Sequence, residues 1–344
     1  MKKLLLSIFN SHVLSNVLCL VSRVLCLAFV CLTSVSQLNA AFKDIGWSVR
    51  AVGMGGAFVG VCDDATGILY NPAGIAQVEY YETNFMHTKL YTGLDTVDLT
   101  LNYVAFMLPK SDLGFGSLGL NWANFSAAQY REDIINFVYA ESINKIVKQL
   151  FNYRLRDKLL VGLNIKYLQH SYSLDVRTVN DPVFAGGNSK SNITMDIGLL
   201  YKPIPRRFRG FSAGVVVKNI TQPDVGLKNQ DMVPLEIGIG AAFKIDEFGS
   251  IKNILSAVDF TYRNQDWSNV EDKLNIHLGA EAWFINEILG LRLGGNYNEL
   301  SFGFSIKPKI KSRLLLQFDY ALLWPLQIQE TTGTHKFSLS VFYK

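Results

Sequence analysis

The sequence predicts an all-β transmembrane protein, an antiparallel up-and-down β-barrel of about fourteen strands. Three observations point there. From residue 80 onward, polar and apolar residues alternate with period two over stretches of about ten residues. Past Ala41, no uncharged apolar run approaches the roughly 18 residues that a spanning helix needs. The N-terminus also reads as an export signal. A chain that enters a membrane without such helices does so as a closed sheet, because hydrocarbon does not tolerate unpaired backbone groups.

Residues 1–40 form the predicted signal peptide. Lys2 and Lys3 give a positive start, VLCLAFVCLTSV at 24–35 gives an apolar stretch, and SQLNA ends on the small residue Ala40. Arg23 interrupts the segment, and a retained anchor is the alternative reading. Cys19, Cys26 and Cys31 follow the bulky Leu18, Leu25 and Val30, which argues against lipidation. After the signal only Cys62 remains, so the mature chain forms no internal disulfide. Lys and Arg (33) nearly balance Asp and Glu (29), so no strong field points to nucleic acid. His12, His87, His170, His277 and His335 are scattered, and no Cys/His cluster has metal-ligand spacing. No cofactor is expected.

The alternation is clear in each later stretch. In 96–108, Val97, Leu99, Leu101, Tyr103 and Met107 oppose Asp98, Thr100 and Asn102. In 158–169, Leu159 to Tyr167 oppose Gly162, Asn164 and Lys166. In 192–201, Ile193 to Tyr201 oppose Thr194, Asp196 and Gly198. In 235–245 and 274–284 the opposing sets include Glu236, Gly238, Gly240 and Lys244, then Asn275, His277 and Glu281. The apolar set is expected to face lipid and the other set a wet or filled lumen. Aromatic residues near strand ends, among them Tyr167, Tyr201, Phe243, Tyr262, Trp283, Tyr297 and Tyr320, suit interfacial girdles.

Thirteen stretches read as strands: 79–90, 96–108, 114–125, 157–170, 190–202, 210–220, 233–245, 252–263, 272–285, 288–297, 300–307, 311–322 and 334–343. Residues 130–143 fit a helix or a strand, and loop parity arbitrates. If they form a strand with Ile135, Phe137 and Tyr139 toward lipid, connections 171–189, 221–232, 264–271 and 323–333 fall on the external side. The shorter 203–209, 246–251, 286–287 and 308–310 then fall on the periplasmic side, as barrels require. The reading is therefore fourteen strands, with one long periplasmic connection at 145–158 that would carry a short helix. The chain ends on the amphipathic HKFSLSVFYK. A barrel assembly machinery reads a terminal aromatic residue; here Lys344 follows Tyr343.

Residues 46–76 break the alternation. They are rich in Gly and Ala and contain the turn signal Asn71-Pro72-Ala73-Gly74. A nucleotide-loop reading of Gly53-Met54-Gly55-Gly56 fails, since no strand precedes it and no Lys-Ser/Thr follows. Asp63 and Asp64 have no His or nucleophile near them in sequence, so a polar lumen contact or helix cap is the expected role. No Ser/His/Asp constellation supports an enzyme.

The run Arg50, Gly53 to Ala57, Asp63-Asp64-Ala65 and Asn71 to Ala76 resembles the N-terminal segment of the FadL-like outer-membrane long-chain fatty acid transporter superfamily, including its PorV-type branch and spirochaete paralogues. The resemblance implies an N-terminal hatch (41–78) inside the lumen of a transmembrane barrel (79–344). By it, Asn71, Pro72, Ala73 and Gly74 pack within the hatch, and Gly53, Gly55, Gly56, Asp63 and Asp64 hold it to the lumen wall. It implies the cell outer membrane, outer-membrane lipids as surroundings, and fatty acids or similar hydrophobic small molecules as ligands in passive lipid transport. PorV-type relatives imply the alternative, a scaffold assisting protein secretion. The lumen charges Lys166, Asp196, Glu236, Lys244, Asp259, Glu281 and Arg292 would hold the hatch or meet a carboxylate. The loop 171–189, with VFAGGN at 183–188, would be a mobile ligand-uptake part.

Overall fold

The computed structural model describes residues 42, 45–94, 98–109, 115–144, 147–148, 158–203, 209–264, 273–308, 313–328 and 330–343. The signal-peptide reading and most of 145–158 lie outside the described residues. Fourteen antiparallel strands close into one barrel: β1 (Tyr81–Lys89), β2 (Leu99–Leu108), β3 (Ser117–Ala127), β4 (Tyr130–Ser142), β5 (Lys158–Tyr172), β6 (Ser189–Lys202), β7 (Phe211–Lys218), β8 (Glu236–Phe248), β9 (Ile251–Arg263), β10 (Leu274–Phe284), β11 (Leu289–Gly295), β12 (Glu299–Ile306), β13 (Leu314–Pro325) and β14 (Thr334–Tyr343). Each strand pairs with its sequence neighbours, and β1 closes on β14 from Tyr81↔Tyr343 to Lys89↔His335. No sheet edge is left to template aggregation. Residues 130–142 are a strand, as loop parity required. Both ends of the barrel sequence, Tyr81 and Tyr343, therefore share one rim, called the lower rim below.

The outer wall is apolar. Ile135, Phe137 and Tyr139 on β4 point outward and are exposed, as are Ile193, Met195, Ile197, Leu199 and Tyr201 on β6 and Leu274, Ile276 and Leu278 on β10. Exposed side chains of this kind in continuous bands are stable against hydrocarbon, not against water. The inner face carries Asn136, Asn164, Asp196, Asp259, Glu281 and Arg292, all buried.

Three expectations change. On β2 the apolar set is turned inward: Leu101, Tyr103, Ala105 and Met107 are fully buried in the lumen core, while Phe106 is exposed outside. The cause is the N-terminal segment, whose Ile68 and Ile75 share that core, so β2 has an apolar partner on its lumen side. Trp283 is no girdle residue. It shares the inward face with Glu281, is only 5% exposed, and stacks under the Lys307 ammonium at 4.4 Å. Finally, β7 stops at Lys218 rather than residue 220, because Asn219 takes a left-handed φ of 55°.

From Asn219 the connection to β8 folds inward. Val225 and Val233 are fully buried with the core, and an isolated bridge joins Asp224 to Met232. Asn219 ties this connection to the wall: its amide donates to Asp196 Oδ1 at 2.9 Å, its Nδ2 donates to the Pro234 carbonyl at 3.0 Å, and its Oδ1 accepts from Lys166 Nζ at 3.1 Å. The β5–β6 connection on the same upper rim carries a short 3-10 turn, Pro182–Phe184. Hydrogen bonds from Gln129 and from Thr178 and Arg177 hold the exposed Asp175 carboxyl there below its usual range.

A charge on the outer wall tests which face meets lipid. Phe137→Arg is expected to lower the unfolding free energy in bilayers by about 2–4 kcal/mol, measured by urea titration in vesicles. An unchanged midpoint would contradict a lipid-facing β4.

Candidate functional site

Residues 45–78 cross the lumen, and local rules explain their shape. Helix α1 (Val49–Gly53) starts at Ser48, whose hydroxyl accepts from the Ala51 amide at 3.1 Å. It cannot continue, because Gly55 and Gly56 adopt φ of +66° and +86°. A 3-10 turn, Ala65–Leu69, is capped by Asp64, and a second, Pro72–Gln77, is capped by Asn71 with Pro72 in the first position.

The segment touches the wall where the wall has no side chains. A Cβ at Gly279 or Gly294 would overlap the backbone of Met54 and Gly55; one at Gly162 would overlap Pro72 and Ala73, and one at Gly198 the side chain of Asn71. Polar groups then fasten the approach. The Gly55 amide donates to Ser301 Oγ at 2.9 Å, and its carbonyl accepts from His277 Nδ1 at 2.8 Å. The Asp259 carboxylate accepts the amides of Phe58 (2.5 Å) and Val59 (2.6 Å). Asn71 Nδ2 donates to the carbonyls of Val59 and, across the gap, Leu199, both at 3.0 Å. Buried Lys336 donates to the Ile45 carbonyl at 3.0 Å.

The strongest fastening is ionic. The Arg50 guanidinium meets both oxygens of Glu281 on β10, at 2.9 and 2.8 Å. It also meets Asp63 at 2.5 Å and Asp64 at 2.9 Å in its own segment. Glu281 is shared with Arg292 at 2.6 Å, which reaches Asp319 at 3.1 Å. Two guanidinium groups against four carboxylates form a connected network, in which losing one member leaves buried charge uncompensated. The planar fork of arginine suits the two-oxygen grip.

Gly53, Gly55, Gly56 and Pro72 therefore lie against the barrel wall. Asn71 spans segment and wall, and Gly74 packs on Cys62 inside the segment. Asp63 and Asp64 reach the wall through Arg50, and Asp64 also caps a helical turn. Among the lumen charges, Asp259 and Glu281 bond the segment, and Arg292 braces Glu281 from the wall. Lys166 and Asp196 pair with each other at 2.8 Å and hold the Asn219 connection instead. Glu236 takes Lys218 at 2.8 Å and Arg263 at 2.5 Å, and Lys244 is exposed near the lower rim. The roles of Ser301, His277 and Lys336 escaped sequence reading, because one hydroxyl, imidazole or amine in a lumen row looks like any other. Arg50 was legible within the motif but not as its ionic centre.

The segment separates two cavities. The upper, about 320 Å³, is lined by Gly46, Val52 and Gly56 with Lys218, Glu236 and Arg263. The lower, about 420 Å³, is lined by Arg50, Asp63 and Asp64 with Glu281, Trp283 and Lys307. Both have mixed walls, with charged side chains beside apolar ones such as Val52 and Leu323 above and Leu255 and Trp283 below. Among the described residues no group of His, Cys, Asp and Glu could hold a metal ion.

No family model matches the chain, and no curated protein matches it. Solved structures do match in fold. The Ralstonia pickettii toluene transporter TbuX is 11% identical over 88% of this chain and 100% of its own, with a TM-score of 0.54. The deltaS2S3 mutant of TodX, a monoaromatic hydrocarbon channel (TodX being the Pseudomonas putida toluene transporter), is 10% identical over 88% and 100%, with a TM-score of 0.55. The chain thus has the fold of these channels.

Removing Arg50 tests the fastening. Arg50→Ala is expected to speed amide hydrogen exchange in residues 48–64 by at least about tenfold, equivalent to roughly 1.4 kcal/mol of local opening, while the β-strand amides keep their protection. Unchanged exchange in 48–64 would show that the ionic network does not hold the segment.

Proposed function

We propose that the protein is an outer-membrane channel for long-chain fatty acids or similar hydrophobic solutes, and that residues 41–78 are its hatch, following a cleaved signal at 1–40 and preceding the barrel at 79–344. The observation that carries the reading is a lumen segment held by a few separable polar contacts, inside a barrel with the fold of hydrocarbon channels. A solute that binds the shifted arrangement of the segment more tightly than the seated one would open the path by population shift, and no catalysis is needed. The hatch residues are Gly53, Gly55, Gly56, Asp63, Asp64, Asn71, Pro72, Ala73 and Gly74, with Arg50 at the ionic centre. The glycines permit close seating, and the carboxylates keep Arg50 in reach of Glu281. The upper rim, with its inward-folded β7–β8 connection, is the external side.

One observation favours the second reading, a PorV-like outer-membrane scaffold for protein secretion. Charged side chains line both cavities, Lys218, Glu236 and Arg263 above and Arg50, Asp63 and Glu281 below, and the segment lies between them, which does not favour an apolar solute in this arrangement. Transport requires the segment to move; a scaffold does not.

Proteoliposomes separate the two. The channel reading expects saturable uptake of labelled oleate, raised several-fold by Arg50→Ala. Absence of saturable uptake and binding, together with co-purification of exported proteins, would replace it with the scaffold reading.

A further inference from the structure

The outer wall is not equally tall all round. On β6 five outward positions in succession are apolar, Ile193 to Tyr201, and on β10 the run extends from Leu274 to Phe284. On β2, β3 and β4 the run is three positions: Val104, Phe106 and Leu108; Leu118, Leu120 and Trp122; Ile135, Phe137 and Tyr139. At about 3.3 Å per residue and a tilt near 40°, three alternate positions span roughly 10 Å of height and the β10 run roughly 25 Å. Only the latter matches the usual apolar band.

The register shows where the height is lost. One ladder row, Phe85–Val104–Trp122–Ile135–Tyr167–Ile193, is apolar from β1 to β6. The outward row above it is polar: His87–Asn102–Asn124–Asp133–Gln169–Ser191. Rows are not level in a tilted barrel. The row containing Leu108, Leu118, Tyr139, Leu163, Ile197, Val217, Ile237, Tyr262 and Leu274 climbs from the lower end of β2 to the upper end of β10. Each strand step climbs roughly 3 Å, so the polar boundary at β2 stands roughly 10 Å below its height at β6.

From His87 to Asp133 the polar row is hydrogen-bonded within the chain. His87 meets Asn102 at 2.8 Å, Asn102 donates to Asn124 at 3.1 Å, and Asn124 donates to Asp133 at 3.1 Å. The Asp133 carboxylate also accepts from Trp122 Nε1 at 2.9 Å and from Arg131 at 2.6 Å. A row that satisfies itself does not require a protein partner; it requires only that headgroups and water reach down to it. A short apolar span draws the bilayer surface toward it.

The geometry points to a locally thinned bilayer against β1–β4, a lipid-deforming flank of the barrel. It is independent of what the lumen carries.

Nitroxide depth measurements test it without touching the polar row. Val104 on β2 lies four residues above Leu108. Leu278 on β10 lies four below Leu274, which is eight strand steps along the row, so Leu278 stands roughly 4 Å above Val104 and both fall near the middle of a band about 25 Å tall. In a Cys62→Ser background, Val104→Cys and Leu278→Cys are each spin-labelled in phosphatidylcholine vesicles of 18-carbon chains. The ratio of nickel-chelate to oxygen collisions is expected to be at least threefold higher at 104 than at 278. Equal ratios would overturn the proposal, showing a bilayer of uniform thickness. Low collision rates with both reagents at 104 would overturn it in favour of a covering protein, such as a second copy. Asn102→Leu with Asn124→Leu, which extends the apolar run, is expected to bring the ratio at 104 toward that at 278; a high ratio unchanged by that pair would detach the effect from the polar row and overturn the proposal as well.

Discussion

The pairing of β1 with β14 is the constraint on which the rest depends. In hydrocarbon a strand must spend every backbone donor and acceptor on neighbours, so the sheet must close. Closure by nine residue pairs, Tyr81↔Tyr343 to Lys89↔His335, sends alternate side chains to two different solvents. It also creates an enclosed space that must be filled or wetted. The apolar outer rows answer the first demand, and the N-terminal segment answers much of the second.

How that segment is seated follows from the same geometry. It meets the wall at Gly162, Gly198, Gly279 and Gly294, where backbone can approach backbone. It is then held by directional bonds: Asn71 to the Leu199 carbonyl, Asp259 to two amides, Arg50 to Glu281. An attachment made of a few charge-assisted contacts is firm when complete and opens cooperatively when one is lost. A greasy seal over the whole segment would not behave that way. The apolar part of the attachment lies on the β2–β5 side, where Ile68 and Ile75 join Leu101, Tyr103 and Leu168. Polar bonds reach the segment from that side too, Glu82 accepting from the Ala65 amide at 2.9 Å and Tyr103 donating to the Ala65 carbonyl at 3.3 Å, while Leu255, Ala257 and Leu323 extend the apolar core to the opposite strands.

Much of the barrel was legible in the sequence. Period two is a local property, so the strands of β5, β6, β8 and β10 and their lipid faces could be read directly, and loop parity resolved β4 at 130–142. What could not be read was which solvent each face meets where a third element intervenes. Leu101, Tyr103 and Met107 look lipid-facing until Ile68 and Ile75 are placed beside them. Trp283 looks like a girdle residue until its parity with Glu281 is honoured. The end of β7 depended on a single left-handed residue, Asn219. Within the site, the motif glycines and Asn71 were visible because turn chemistry is local. The partners of Arg50 were not, because Glu281 is 231 residues away.

The proposed function requires residues 45–76 to act as the stopper of the barrel. Single-channel conductance in planar bilayers tests it most directly, comparing the whole protein with a variant lacking 45–76, both shown to be folded by heat-modifiable migration. The whole protein should be nearly silent and the shortened one should show large, stable conductance steps. Equally low conductance in both would mean that the inward side chains of the wall and the upper connections close the lumen by themselves, and that the segment is not the stopper.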